Sequence, residues 1–93
     1  MLSKTPVNLE RMRQEDIGKE VLRVGIIAEL DAINLYEQMA TMTKNKDIKK
    51  TLLDIAKEEK THVGEFQTLL LKKDAEQERE LKEGQKEVEK LTQ

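Results

Sequence analysis

The sequence contains no cysteine and no tryptophan, and only one proline, one histidine, one tyrosine and one phenylalanine. Without cysteine there is no disulfide framework, zinc ribbon, iron–sulfur cluster or thiol nucleophile. With so few aromatic rings, the core has to be assembled from Ile, Leu, Val, Met and Ala. No apolar run approaches the roughly 20 residues needed to span a bilayer, and no secretory h-region lies near Met1. An excess of one charge sign is missing as well: 17 Lys and Arg stand against 19 Asp and Glu, a net charge of -2. Nucleic-acid binding calls for a basic patch or stripe, so neither nucleic acid nor membrane is an expected partner. These absences describe a soluble, intracellular chain.

What is present is helical periodicity. Ninety-three residues make one small domain, and a chain this short gains from oligomerisation as a source of extra core. Residues 1–12 hold Pro6 and no sustained period, and read as an irregular arm. From about Arg13 to residue 43, Leu22, Ile26, Glu29, Ile33 and Tyr36 recur at spacings of 4, 3, 4 and 3, with Met39 or Ala40 continuing the series. That is an a/d seam of the kind used by helical bundles. Thr43 to Lys46 hold no apolar residue; Asn45 favours a turn and Asp47 is a good N-cap for the next helix. A second helix over about 47–72 carries the seam Leu52, Ile55, Glu59, His62, Phe66 and Leu69. Asp74 is placed to cap a third helix over about 75–91. This helix is mostly charged, with a sparse stripe of Leu81, Val88 and Leu91, and it needs docking to be stable.

The expected architecture is all-α: an antiparallel two-helix hairpin with a short C-terminal helix, dimerising into a four-helix bundle. Gly18, Gly25 and Gly64 fall inside helices, where each costs about 1 kcal/mol against Ala. Gly18 and Gly25 lie seven apart beside the seam, which suggests close helix approach.

Each seam has a polar break. Glu29 sits between Ile26 and Ile33; Glu59 and His62 sit between Ile55 and Phe66. In an antiparallel hairpin centred on Lys44, Glu29 lies fifteen residues before the turn and Glu59 fifteen after it. At 1.5 Å per residue both are about 22 Å from the turn, and His62 is one helical turn from Glu59 on the same face. A buried, unpaired carboxylate is costly and finds a cation or changes protonation. A lone interfacial histidine is usually just a satisfied one, a seam glutamate often only specifies register, and Glu-x-x-His is common by chance. Seam placement at matching height favours metal binding over those readings. Carboxylate-bridged di-iron bundles take a Glu from each of two helices and a Glu-x-x-His pair from each of the other two. One hairpin holds half of that set, and two hairpins about a twofold axis hold all of it.

Glu29, thirty residues to Glu59 and three more to His62 in "EEKTHVGEF", together with "IIAELDAINLYEQMA", resemble the encapsulated ferritins, single-hairpin relatives of rubrerythrin and ferritin. The resemblance covers roughly residues 14–91. It implies a ferroxidase that dimerises to complete a di-iron centre; hard carboxylate oxygens with imidazole suit iron, and the same set would also accept manganese or zinc. It further implies assembly of the homodimers into a ring, typically a decamer, inside a cytoplasmic encapsulin nanocompartment whose shell stores the mineral. Glu29, Glu59 and His62 would be the ligands, Glu59 a candidate bridge, and Tyr36 a neighbouring residue with a packing or redox role. Glu58 reads as solvated or supporting, Glu65 as a surface charge near the rim.

Some features depart from that pattern. Some members place extra acidic residues beside the first ligand to recruit iron; here that position is Ala28, with Asp31 two residues after Glu29. The C-terminal "VEKLTQ" carries no shell-targeting peptide, which leaves three expectations open: a domain joined to the front of a shell protein, an excerpt, or a protein that works differently. The absence of cysteine argues against a complete rubrerythrin with a four-cysteine iron site. The competing class is a non-catalytic helical module that dimerises or docks a partner, with at most a structural metal.

Overall fold

The computed structural model describes residues 16–93, so the arm expected over 1–12 and the start of the helix expected from about residue 13 lie outside the described residues. The described residues form three helices and no strand: α1 (Ile17–Met42), α2 (Lys46–Lys73) and α3 (Ala75–Leu91). α1 and α2 pack antiparallel as a hairpin, and α3 leaves the hairpin at its open end. None of these helices is long and apolar enough to cross a membrane.

The turn is built by hydrogen-bonding side chains. α1 ends at Thr43, whose backbone is extended. Thr43 Oγ1 accepts from the Asn45 N–H, and Asn45 Oδ1 accepts from the N–H groups of Asp47 and Ile48 at 3.0 and 3.1 Å. The cap of α2 is therefore Asn45 and not Asp47, because the Asn45 side chain reaches two of the helix's otherwise unpaired N–H groups. Asp47 lies in the first turn instead, where its charge complements the positive end of the helix dipole.

Asp74 separates α2 from α3 and, as its sequence position suggests, caps α3: its Oδ1 accepts from the Gln77 N–H at 3.0 Å. Its Oδ2 receives a hydrogen bond from the Arg23 guanidinium of α1, also at 3.0 Å. Along α3, Lys82–Glu78 and Lys86–Glu83 pairs and a Gln85–Glu89 hydrogen bond line the exposed surface, each worth about 0.2–0.5 kcal/mol to a helix.

The core sealed within one chain is thin. Among the described residues, the buried apolar ones are Leu22, Ile33, Ala40, Ala56 and Leu70. Ala40, not Met39, continues the α1 seam inward, and Leu70 is buried where Leu69 is half exposed. The remaining seam residues Ile26, Tyr36, Leu52, Ile55 and Phe66 are only partly buried. Two helices cover each other along one narrow line, so the wider apolar stripe read from spacing borders that line instead of filling it.

Of the helical glycines, Gly25 is a point of close approach. A Cβ there would stand 3.1–3.2 Å from the Phe66 ring, whereas at Gly18 it would meet only the flexible Lys73 side chain, and at Gly64 nothing within 4 Å.

Candidate metal centre

Glu29 on α1 and Glu59 and His62 on α2 come together. His62 Nδ1 lies 3.5 Å from Glu29 Oε1 and 3.5 Å from Glu59 Oε2, and one ligand atom from each of the three residues lies within 4.8 Å of the other two. The two carboxylates are mostly buried while the histidine is 44% exposed.

Side-chain lean explains the convergence. Side chains on a helix tilt toward its N-terminus, and the N-termini of α1 and α2 point in opposite directions. Contacts across the hairpin therefore join positions about three residues out of level. Gly25 meets Phe66, Gly18 meets Lys73, and Glu29 meets His62 in this same offset. Glu59, level with Glu29 by residue count, completes the cluster from one turn away.

One atom here is unusual: Glu29 Oε2 is buried and has no hydrogen-bond partner. An orphaned carboxylate oxygen inside a fold carries a desolvation cost of about 1–3 kcal/mol or more. A cation removes that cost. Donors that each stand about 2.1 Å from a shared cation lie roughly 3.0–3.5 Å apart, close to the spacings found. Two carboxylates with an imidazole suit iron, and also manganese or zinc. The donor set thus fits a divalent metal.

Two cavities flank the cluster. One is lined by Ala28, Glu29, Asp31, Leu35, Tyr36 and Glu59; the other by Glu29, His62, Glu65, Phe66 and Leu69. Tyr36 thus borders the site without belonging to the three-residue cluster. Asp31 shares the first cavity with Glu29, and Glu65, exposed, lines the second beside His62. Glu58 is exposed and lines neither.

Two cross-hairpin ion pairs were not legible in the sequence. Lys60–Glu37 and Arg23–Asp74 each close at 3.0 Å, and both join residues well out of level. Long cationic side chains that lean toward their acidic partners make that reach possible. The lean direction was the signal that could have found them.

The profile of the rubrerythrin family matches residues 20–93. The chain is 53% identical over 94 residues to a ferritin-like–encapsulin shell fusion protein of Pyrococcus furiosus, covering 99% of this chain and 27% of that protein. It is 37% identical over 73 residues to the encapsulin nanocompartment cargo protein EncC of Myxococcus xanthus, covering 78% of this chain and 55% of that protein. The chain therefore spans about a quarter and about half of the length of these two relatives. Its fold superposes on the crystal structure of the encapsulated ferritin domain from Pyrococcus furiosus with a TM-score of 0.85 and 52% identity, covering 99% of this chain and 96% of that one. The chain belongs to the rubrerythrin family and has the ferritin-like fold of an encapsulated ferritin domain.

Proposed function

We propose that this chain is half of a ferroxidase, oxidising Fe(II) to Fe(III) at a two-iron centre formed between two copies, for mineral storage within an encapsulin shell. The observation that carries the reading is the orphaned, buried Oε2 of Glu29, set beside a second carboxylate and the chain's only histidine in an apolar seam. One hairpin holds two Glu and one His; the carboxylate-bridged centres of four-helix bundles use twice that set. A twofold axis beside the cluster supplies the second half. The half-covered seam supports such pairing, because Met39 and Leu69 at its two ends are 39% and 50% exposed in the single chain. Family membership and the encapsulin-linked names of the relatives support iron as the metal and a shell as the partner. Assembly of the homodimers into a decameric ring in the cytoplasm belongs to the same proposal.

Iron is the substrate. Glu29, Glu59 and His62 would be the ligands each copy contributes, with Glu59 the candidate bridge. Carboxylates attract Fe(III) more strongly than Fe(II), since Coulombic attraction grows with cation charge, so the ligand set lowers the cost of oxidation. His62 binds through one ring nitrogen, and its partial exposure leaves the other free to meet an orienting acceptor. Two Fe(II) ions release one electron each. Peroxide takes both with two protons and becomes two waters; dioxygen takes both with two protons and becomes hydrogen peroxide. Tyr36 lines the cavity that Glu29 and Glu59 also line, where a tyrosine ring fills apolar space and its hydroxyl can meet a polar partner.

Aerobic Fe(II) titration tests the reading. Wild type should oxidise Fe(II) rapidly to a fixed ratio of iron per chain, and Glu29→Ala and His62→Ala should lose that phase. Anomalous scattering at the iron edge should place paired peaks between two copies beside Glu59. Equal oxidation rates in wild type and variants would remove the enzyme reading.

A further inference from the structure

α3 is an unusual appendage. It touches α2 beside the Asp74 corner and has no contact with α1. Its large apolar residues Leu81, Val88 and Leu91 are 42%, 59% and 83% exposed. At 3.6 residues per turn, Gln77, Leu81, Gly84, Val88 and Leu91 share one face. Glu80 and Glu87 edge that face on one side, Glu78 and Glu89 on the other, while Arg79, Lys82, Lys86 and Lys90 fall on the back. The charge is sorted: acidic around the apolar stripe, basic behind it.

The hairpin tip carries the complement. Met39, Met42, Thr43, Ile48 and Leu52 line an apolar groove, in which Met42 and Ile48 are 82% and 51% exposed. Around it stand Lys44, Lys46, Lys49 and Lys50, all exposed, with Asp47 as the local acid. A chain cannot close α3 over its own tip, because α2, roughly 42 Å long, separates them.

A second copy can, given the twofold pairing proposed above. Lys44 lies fifteen residues on the tip side of Glu59, and Asp74 fifteen residues beyond it. Antiparallel pairing about the Glu29–Glu59 level therefore brings the Asp74 corner of the second copy, and the α3 that starts there, to the level of this copy's tip. Parallel pairing would face lysines with lysines. Antiparallel pairing faces them with glutamates, which favours that register. We propose that α3 is a clasp between copies: its glutamate-edged apolar stripe closes over the lysine-rimmed groove at the partner's hairpin tip.

The chain has no cysteine, so introduced thiols report directly. Full-length Ile48→Cys and Val88→Cys chains, mixed and oxidised, should give a disulfide-linked pair of one chain of each kind. Lys49→Glu/Lys50→Glu should weaken self-association about tenfold, as expected for several coupled rim charges. Adding Glu80→Lys/Glu87→Lys to the same chain should restore it. Three results overturn the clasp: no mixed disulfide, unchanged association in the lysine variant, or a loss that the charge swap does not repair. A Val88→Cys chain that cross-links only to a co-expressed encapsulin shell protein also overturns it, assigning the stripe to the shell. Glu29→Ala separates the two proposals. If metal-driven pairing disappears in Glu29→Ala but is untouched by the tip variants, the metal centre stands and the clasp falls. If the wild type binds metal without pairing, the two-copy centre itself falls.

Discussion

The Arg23 guanidinium donates to Asp74 Oδ2 at 3.0 Å, while the other oxygen of the same carboxylate caps α3 through the Gln77 N–H. One side chain, 12% exposed, thus ties α1 to the corner where α2 gives way to α3. It orients α3 relative to the hairpin.

This corner is acid-sensitive. The Gln77 N–H holds the Asp74 carboxyl below its ordinary value of 3.8, helped by the Arg23 hydrogen bond and the charges of Lys19 and Arg23, while burial opposes them. A carboxyl lowered on folding stabilises when ionised. Its contribution is complete above 3.8 and drains away as pH falls below that value through the lowered folded value. Hydrogen-exchange protection of the Gln77 amide should fall over that range. At neutral pH it should be lower in Asp74→Ala, which loses both bonds, than in Asp74→Asn, which keeps an acceptor oxygen.

The glycines should answer differently to alanine. Gly64→Ala meets nothing within 4 Å and should gain about 0.5–1 kcal/mol from helix propensity. Gly25→Ala gains the same propensity, but its methyl would press on the Phe66 ring at 3.1–3.2 Å, where overpacking costs about 1–3 kcal/mol. Urea unfolding of the metal-free protein should show Gly64→Ala more stable than wild type and Gly25→Ala equal to it or weaker.

Glu29→Gln should raise metal-free stability by about 1 kcal/mol, because a neutral amide is cheaper to bury than a carboxylate with an orphaned oxygen. The same variant should lose metal binding. Thermal melts with and without metal check both halves. A metal-free melting temperature below that of wild type would contradict the cost assigned to the orphaned Glu29 oxygen.

Redox-inert Zn(II) should stabilise wild type by binding the native state alone. The gain is about 2.7 kcal/mol at a free concentration one hundred times Kd. It should vanish in His62→Ala and persist in Tyr36→Phe, since Tyr36 lies beside the three-residue cluster and not in it. Calorimetric titration measures the difference without reference to activity.

Asn45→Ala removes the acceptor for the Asp47 and Ile48 N–H groups and should cost about 1 kcal/mol, the usual loss for an N-cap. Asp47→Ala, a first-turn charge and not the cap, should cost less. Denaturant midpoints of the two variants rank them.

Residue spacing alone revealed the helical class, the hairpin and its turn, the cap at Asp74, and the three residues Glu29, Glu59 and His62 that the folded chain brings together. These follow from periods of about 3.6 residues and from local capping chemistry, both carried by neighbours in sequence. What only the packed structure decided depends on how side chains lean between helices running in opposite directions. That lean sets the offset joining Glu29 to His62, the pressure of Phe66 on Gly25, and the reach of Arg23 to Asp74. It also settled which apolar residues one chain can seal. Ala40 and Leu70 are covered and Met39 and Leu69 are not, because a lone pair of helices shares one narrow line of contact and leaves the rest of each stripe open.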